Sequence, residues 1–202
     1  MLLSKRIFDL LVTSLGLIII LPLMLVISLV VWIFLGIPVL FRQQRPGYKG
    51  RPFITYKFRT MTNRLGPDGN LLPDADRLTD FGRFLRSTSL DDLPQVFNVL
   101  RGEMSLVGPR PLLMQYLKRY TPEQMRRHDV LPGITGWAQI HGRNTLDWEE
   151  KFRLDVWYVD HWSIWLDLRI LLMTPWKVFK REGISQPGHV TVEEFKGSKN
   201  RK

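Results

Sequence analysis

The chain has 202 residues, room for one domain with a real core or one domain plus an appendage. It contains no cysteine, which excludes disulfides, thiolate catalysis and cysteine metal sites; a metal would be held mainly by oxygen, favouring magnesium or manganese. The formal charge of +10 suits an anionic partner, whether nucleic acid, an acidic membrane surface or a phosphorylated substrate, and composition alone does not choose among them.

The N-terminus does choose. Leu10 to Phe41 is free of charge over 32 positions, where a spanning helix needs about 20. A secretory signal peptide has a shorter apolar core and a small-residue cleavage site, neither of which is present, so membrane insertion is predicted. Lys5 and Arg6 precede the stretch, and Arg42, Arg45, Lys49 and Arg51 follow it, so both flanks carry the positive charge that marks the cytoplasmic side. Pro22 divides it into arms of about 18–20 Å, each short of a hydrocarbon core of roughly 30 Å. A helix that dips in, breaks at Pro22 and returns satisfies charge, length and proline together. The competing reading is a tilted spanning helix with a mild kink.

Beyond it, "VLFRQQ" and "PFITYKFRT" read as two short strands joined through the turn residues of "RPGYKGRP". A polar loop follows with "GPDGN" and an Asp-x-Asp at Asp74 and Asp76. That pattern holds a metal–nucleotide in some glycosyltransferases, but in so polar a loop it reads as solvated surface.

Residues 86–95, "RSTSLDDLPQ", place two adjacent acids in a basic chain. Leu90, Leu93, Phe97 and Leu100 recur at helical spacing, with Gly102 as the stop. Ser89 and Asp92 resemble a capping box, or Asp92 is itself the cap; either way both acids fall at a helix N-terminus, off the apolar face. Successive helical side chains diverge by about 100°, so Asp91 and Asp92 cannot do the same job at one atom. One could attack while the other holds a metal; the plainer account is a cap plus a solvated acid.

Arg110 lies between two prolines that fix its backbone. "PGITGWAQIHGRN" (132–144) has three glycines and Arg143, a composition suited to close backbone approach to a ligand, without the spacing of a P-loop or dinucleotide fingerprint. Lys57, Arg59 and Arg86 add cations for a polyanion. From 146 to 180 the pattern predicts two or three amphipathic helices carrying Trp148, Trp157, Trp162, Trp165 and Trp176, suited either to a membrane interface or to a tryptophan-rich core. The tail "EEFKGSKNRK" reads as frayed.

The ordered run of "KRIFD", "RQQRPG", "YKFRTM", "RSTSLDDLPQVFNVLRGEMSLVGPRPLL", "PGITGWAQIHGRN", "KFRLDVWYVDHWSIWLDLRIL" and "GHVTVEEF" resembles the small monotopic phosphoglycosyl transferases of the bacterial sugar transferase family, especially members that start N-linked glycan assembly with a diacetylbacillosamine donor. The resemblance implies an α+β fold, mostly α: a re-entrant membrane helix (1–41), a cytosolic catalytic domain with a small β-hairpin, a catalytic helix and interfacial helices (42–186), and a tail (187–202). It implies transfer of a phosphosugar from a UDP-sugar to polyprenyl (undecaprenyl) phosphate, releasing UMP, at the cytoplasmic face of the inner membrane. Asp91 would be the nucleophile, forming an aspartyl-phosphosugar. Asp92 would bind Mg2+, or Mn2+. Lys57, Arg59, Arg86 and Arg110 would contact phosphate, and Arg143 would lie in a binding loop. Membrane lipids are expected partners, nucleic acid is not, and a homo-oligomer is compatible.

Three positions depart from the family pattern. Asp92 replaces the usual glutamate, Leu21 replaces the serine that commonly precedes the helix-breaking proline, and His141 stands where close relatives carry asparagine. The rival readings are a basic membrane-anchored binding protein without turnover, which predicts salt-sensitive binding spread over many cations, and a sugar transferase using Asp74 and Asp76, which predicts release of UDP.

Overall fold

The computed structural model describes residues 3–142, 145–180 and 194–198. In chain order, the long helix α1 (Leu3–Leu35) leads to a β-hairpin of β1 (Leu40–Pro46) and β2 (Pro52–Phe58). Then come α2 (Asp74–Arg77), α3 (Asp80–Ser87), a 3-10 turn (Leu90–Gln95) running into α4 (Val96–Arg101), β3 (Ser105–Val107), α5 (Pro122–Met125), β4 (Gly133–Thr135), α6 (Trp137–His141), α7 (Trp148–His161) and α8 (Ile164–Phe179). The described chain is mostly helical with little sheet, as expected.

Among the described residues α1 is the one helix long and apolar enough to cross a membrane. Its helical assignment runs through Pro22 as one element rather than two helices, so any change of direction at the proline is a bend within one helix. The reason is local: a proline removes one donor, and flanking leucines and isoleucines keep the helix going when no competing hydrogen-bond partner is offered.

Both ends of α1 rest on the globular body. Lys5 reaches Asp167 of α8 (2.6 Å) and Asp9 (3.2 Å). Arg6 donates to the carbonyls of Val99 (2.5 Å) and Leu100 (2.7 Å), a cation placed at the C-terminal turn of α4 where the helix dipole favours it. Toward the other end Met24, Ile27 and Val31, one helical face, pack with Phe58, Leu85 and Val96. Leu11, Leu15, Ile18 and Ile19 lie exposed between these two contacts.

The hairpin forms as its alternation predicted, antiparallel with Leu40 opposite Phe58, Arg42 opposite Tyr56 and Pro46 opposite Pro52. A second, parallel pair, β3 with β4, was not expected. It also explains the glycines at 133 and 136. A Cβ on Gly133 would stand 2.1 Å from the Gly108 nitrogen, and one on Gly136 2.2 Å from the Gly108 oxygen. The close approach predicted for a ligand is thus made to backbone.

Helix α3 is capped by Thr79, whose side chain accepts from the Gly82 nitrogen, and is seated on Thr60. A Cβ at Gly82 would fall 2.0 Å from the Thr60 oxygen. Gly82→Ala is therefore expected to cost about 1–3 kcal/mol or more through forced separation of α3 from the end of β2, measured as a lowered urea midpoint.

The predicted helices over 146–180 are α7 and α8. Their tryptophans divide between both accounts. Trp148 joins an aromatic cluster with Tyr116, Tyr120 and Phe152, whereas Trp165, Leu172, Trp176 and Phe179 form an exposed face of α8. The tail is not frayed at its described part. Phe195 is 2% exposed, inserted among Tyr116, Tyr120, Trp148 and Phe152, while Arg119 pairs with Glu194 (2.7 Å) and donates to the Phe195 carbonyl. Apolar burial of one aromatic ring outweighs the ordering of a few polar residues around it.

Candidate active site

The acid pair sits on the 3-10 turn rather than on the first turn of an α-helix. Ser89 takes the left-handed conformation (φ 57°) and makes no side-chain cap, so the predicted capping box is absent. Three residues per turn instead of 3.6 changes which side chains face inward. Leu90 and Leu93 still pack on the core under α1, but Asp91 and Asp92 are buried too, at 9% and 7% exposure, not displayed to solvent.

The two carboxylates differ sharply in company. Asp92 takes three donors: its Oδ1 receives Lys57 Nζ (2.6 Å) and Gln95 Nε2 (2.6 Å), and its Oδ2 receives Arg110 Nη2 (3.0 Å). Lys57 comes from β2 and Arg110 from the Pro109–Pro111 segment after β3, so Asp92 ties three parts of the chain together. Burial works to raise its pKa, but Lys57 and Arg110 together outweigh that and hold the carboxyl well below the usual range.

Asp91 accepts no hydrogen bond among the described residues. Burial, and then the negative charge of Asp92, push it up to about 6, against the opposing pull of Lys57, Arg110 and Arg86. A desolvated carboxylate with neighbouring cations, none of them bonded to it, keeps its lone pairs available for attack.

Of the other expected cations, Arg86 lies close enough to influence Asp91 and donates from Nε to the Thr60 hydroxyl (3.1 Å). Arg59 is not brought to the acids; it is buried against the linker that follows α1, because the chain turns away at the end of β2. Arg143 lies outside the described residues. Asp74 pairs with Arg77 of its own short helix (2.5 Å) and Asp76 is exposed, so neither joins the site.

Sequence reasoning missed three contributors. Gln95 stands three residues past Asp92, a spacing that could have been read. Arg45 lies beside Arg110, its pKa lowered to about 10 by burial and then by that like charge. Arg127 is fully buried on Asp155 (2.6 Å) and donates to the Arg110 carbonyl (2.8 Å), holding in place the segment that presents Arg110.

Among the described residues no group of three His, Asp or Glu side chains gathers to hold an ion. Asp92 keeps one lone pair, on Oδ2, after its three donors, while Asp91 keeps all of its own. This all-oxygen donor set fits magnesium or manganese bound by one or two carboxylate oxygens with phosphate completing the shell, not a cage built by protein alone.

A buried acid pair ringed by cations thus lies in the same body that carries the long apolar helix α1. The chain belongs to the bacterial sugar transferase family, which matches residues 1–181. It is 57% identical over 194 residues to the "Uncharacterized sugar transferase EpsL" of Bacillus subtilis, covering 96% of each chain. It is 46% identical over 185 residues to the "UDP-glucose:undecaprenyl-phosphate glucose-1-phosphate transferase" of Klebsiella pneumoniae, and 39% identical over 199 residues to the "Undecaprenyl-phosphate galactose phosphotransferase" of Salmonella typhimurium. Those alignments take in 87% and 89% of this chain but 40% and 41% of the relatives, so the chain spans about two fifths of their length.

Proposed function

We propose that this transferase moves a phosphosugar from a UDP-sugar to polyprenyl phosphate, giving polyprenyl-diphosphate-sugar and UMP, through a covalent intermediate on Asp91. The observation that carries the reading is the contrast within the acid pair: Asp92 is held by Lys57, Arg110 and Gln95, and Asp91 is left desolvated and unbonded. An Asp91 oxygen attacks the phosphorus that bears the sugar, the bond to the α-phosphate breaks, and UMP leaves with the electron pair. A phosphate oxygen of the lipid then attacks the same phosphorus and releases the Asp91 carboxylate. Lys57, Arg86 and Arg110 stabilise the phosphate oxygens throughout. A magnesium ion held at Asp92 would neutralise charge developing on the diphosphate. The relatives named for glucose and galactose support a UDP-hexose donor; the motif likeness favours an N-acetylated, diacetylbacillosamine-like one.

The test is intact-protein mass after incubation with magnesium and a panel of UDP-glucose, UDP-galactose and UDP-N-acetylated sugars, with no lipid acceptor. A gain equal to one phosphosugar, with equimolar UMP, is expected for one donor. Released UDP, or turnover with acceptor and no adduct, overturns the covalent route.

The reading places the enzyme on the cytoplasmic face of the inner membrane with α1 entering and leaving by the same side. Support comes from both ends of α1 resting on one body, through Lys5, Asp9 and Thr13 near its start and through Leu17, Ile20, Met24, Ile27 and Val31 further on. The exposed Trp165–Phe179 face of α8 suits the interface. Cysteines at Leu3 and Arg51 should both be labelled by an impermeant reagent from the cytoplasmic side alone; labelling from opposite sides makes α1 a crossing helix.

A further inference from the structure

The chain leaves α1 through Pro38–Arg42, and beside this linker lies an open groove of about 710 Å³ that does not include the acid pair. Its walls are Val39, Leu40 and Phe41. The buried residue lining it is Arg59, 8% exposed, and the exposed ones include Arg42 and Asn63. The Arg59 backbone is pinned to the linker by its N–H donating to the Val39 carbonyl (2.9 Å). Its side chain is not so provided for: Nε and Nη1 are both buried and meet no hydrogen-bond partner among the described residues. A guanidinium is always charged and offers five donors, so a buried one without partners calls for an anion. Carboxylates answer that need elsewhere in this chain, as Asp155 does for Arg127.

Position narrows the anion. The groove begins three residues past the end of the apolar helix, and Ile37 and Phe41 beside it are exposed, so its apolar side adjoins the membrane surface. Arg59 also stands two residues beyond Lys57, which holds Asp92, a distance of about 7 Å along extended chain. A phosphate with an apolar tail could lie with its head on Arg59 and its tail along Phe41 into the lipid, next to the acid pair but outside it.

We propose that this groove is the docking site for an isoprenoid monophosphate, with Arg59 and Arg42 clamping the phosphate and Asn63 donating from its amide. The inference rests on the transferase reading above and gives it an entry point for the lipid acceptor separate from the donor's cations. Bidentate guanidinium–phosphate pairing supplies the recognition, and the apolar wall selects a lipid over a free anion.

The experiment is calorimetric titration of the full chain, in neutral detergent, with farnesyl phosphate. Wild type should bind it, Arg59→Gln should bind at least tenfold more weakly, and Arg59→Lys should fall between. Arg42→Gln, at an exposed position where folding is not at stake, should weaken binding several-fold. Unchanged affinity in both Gln variants overturns the site. Parallel titrations separate the sources of phosphate: inorganic phosphate binding as tightly as farnesyl phosphate, or neutral nanodiscs doped with phosphatidic acid displacing it equally well, overturns the isoprenoid assignment. A matching loss of UDP affinity in Arg42→Gln also overturns it, because the groove would then serve the nucleotide. None of these readouts needs turnover, so a failed adduct experiment and a failed groove remain distinct results.

Discussion

Replacing Asp91 with asparagine is expected to lower transfer by roughly a thousandfold or more and to abolish the phosphosugar adduct, because the amide keeps the shape and loses the nucleophile. The same change should make the protein more stable at neutral pH. Burial and Asp92 raise the Asp91 pKa to about 6, so the folded chain holds this proton more tightly than the unfolded one. Its ionisation therefore opposes folding: the penalty is absent below about pH 4, grows through pH 6, and is fully present above it. A shift of about two units corresponds to roughly 3 kcal/mol. Thermal melts of the variant should exceed wild type at pH 7.5 and match it at pH 4. Adduct formation by wild type should fall as pH drops through about 6, since the protonated acid cannot attack. An Asp91→Asn protein with near-normal turnover would sink the assignment, whatever its stability.

The second large effect lies at the far end of the molecule. Asp167→Ala should destabilise by about 3–5 kcal/mol, among the largest losses any single site here can give. Asp167 is fully buried and accepts from Lys5 (2.6 Å), Tyr158 (2.7 Å) and Trp162 (3.1 Å). Its removal leaves the buried Lys5 ammonium with Asp9 alone (3.2 Å), the Tyr158 hydroxyl with only the Val107 carbonyl (3.1 Å), and the Trp162 N–H without its carboxylate. Because Lys5 belongs to α1, the N-terminal arm should also loosen, read as faster trypsin cleavage after Lys5 and Arg6. As a control, Asp80→Ala removes an exposed pair with Arg83 and should cost under about 1 kcal/mol. Equal effects at the two positions would mean the buried network holds nothing together.

What the sequence revealed followed from period and charge. The hairpin was legible in the alternation of Phe53 to Phe58, the stop of α4 in Gly102, which takes φ 79°, and the cations for the acid pair in Lys57 and Arg110. What stayed hidden depended on phase or on distance along the chain. Pro94 sits within a 3-10 turn that reset the helical phase, so Asp91 and Asp92 turned inward where the α period had them outward. The β3–β4 pair is three residues on each side, too short for any periodicity, and joins segments about thirty residues apart. Arg59 looked like Lys57 in sequence. Only the turn of the chain at the end of β2 separates their destinations.

Phe195 was missed for the same reason, and its placement has a consequence of its own. The chain tethers the Glu194–Ser198 segment to the body, so the segment meets its aromatic socket as an intramolecular ligand, at an effective concentration set by the covalent link. A free peptide of the same five residues would have to exceed that concentration to take its place. Cutting the tether leaves an unfilled socket whose walls, Tyr120 and Phe152, lie against Arg127, the side chain that holds the Arg110 backbone. The tail thus closes a relay that ends on Asp92, and whatever competes for that socket has a mechanical route to the site.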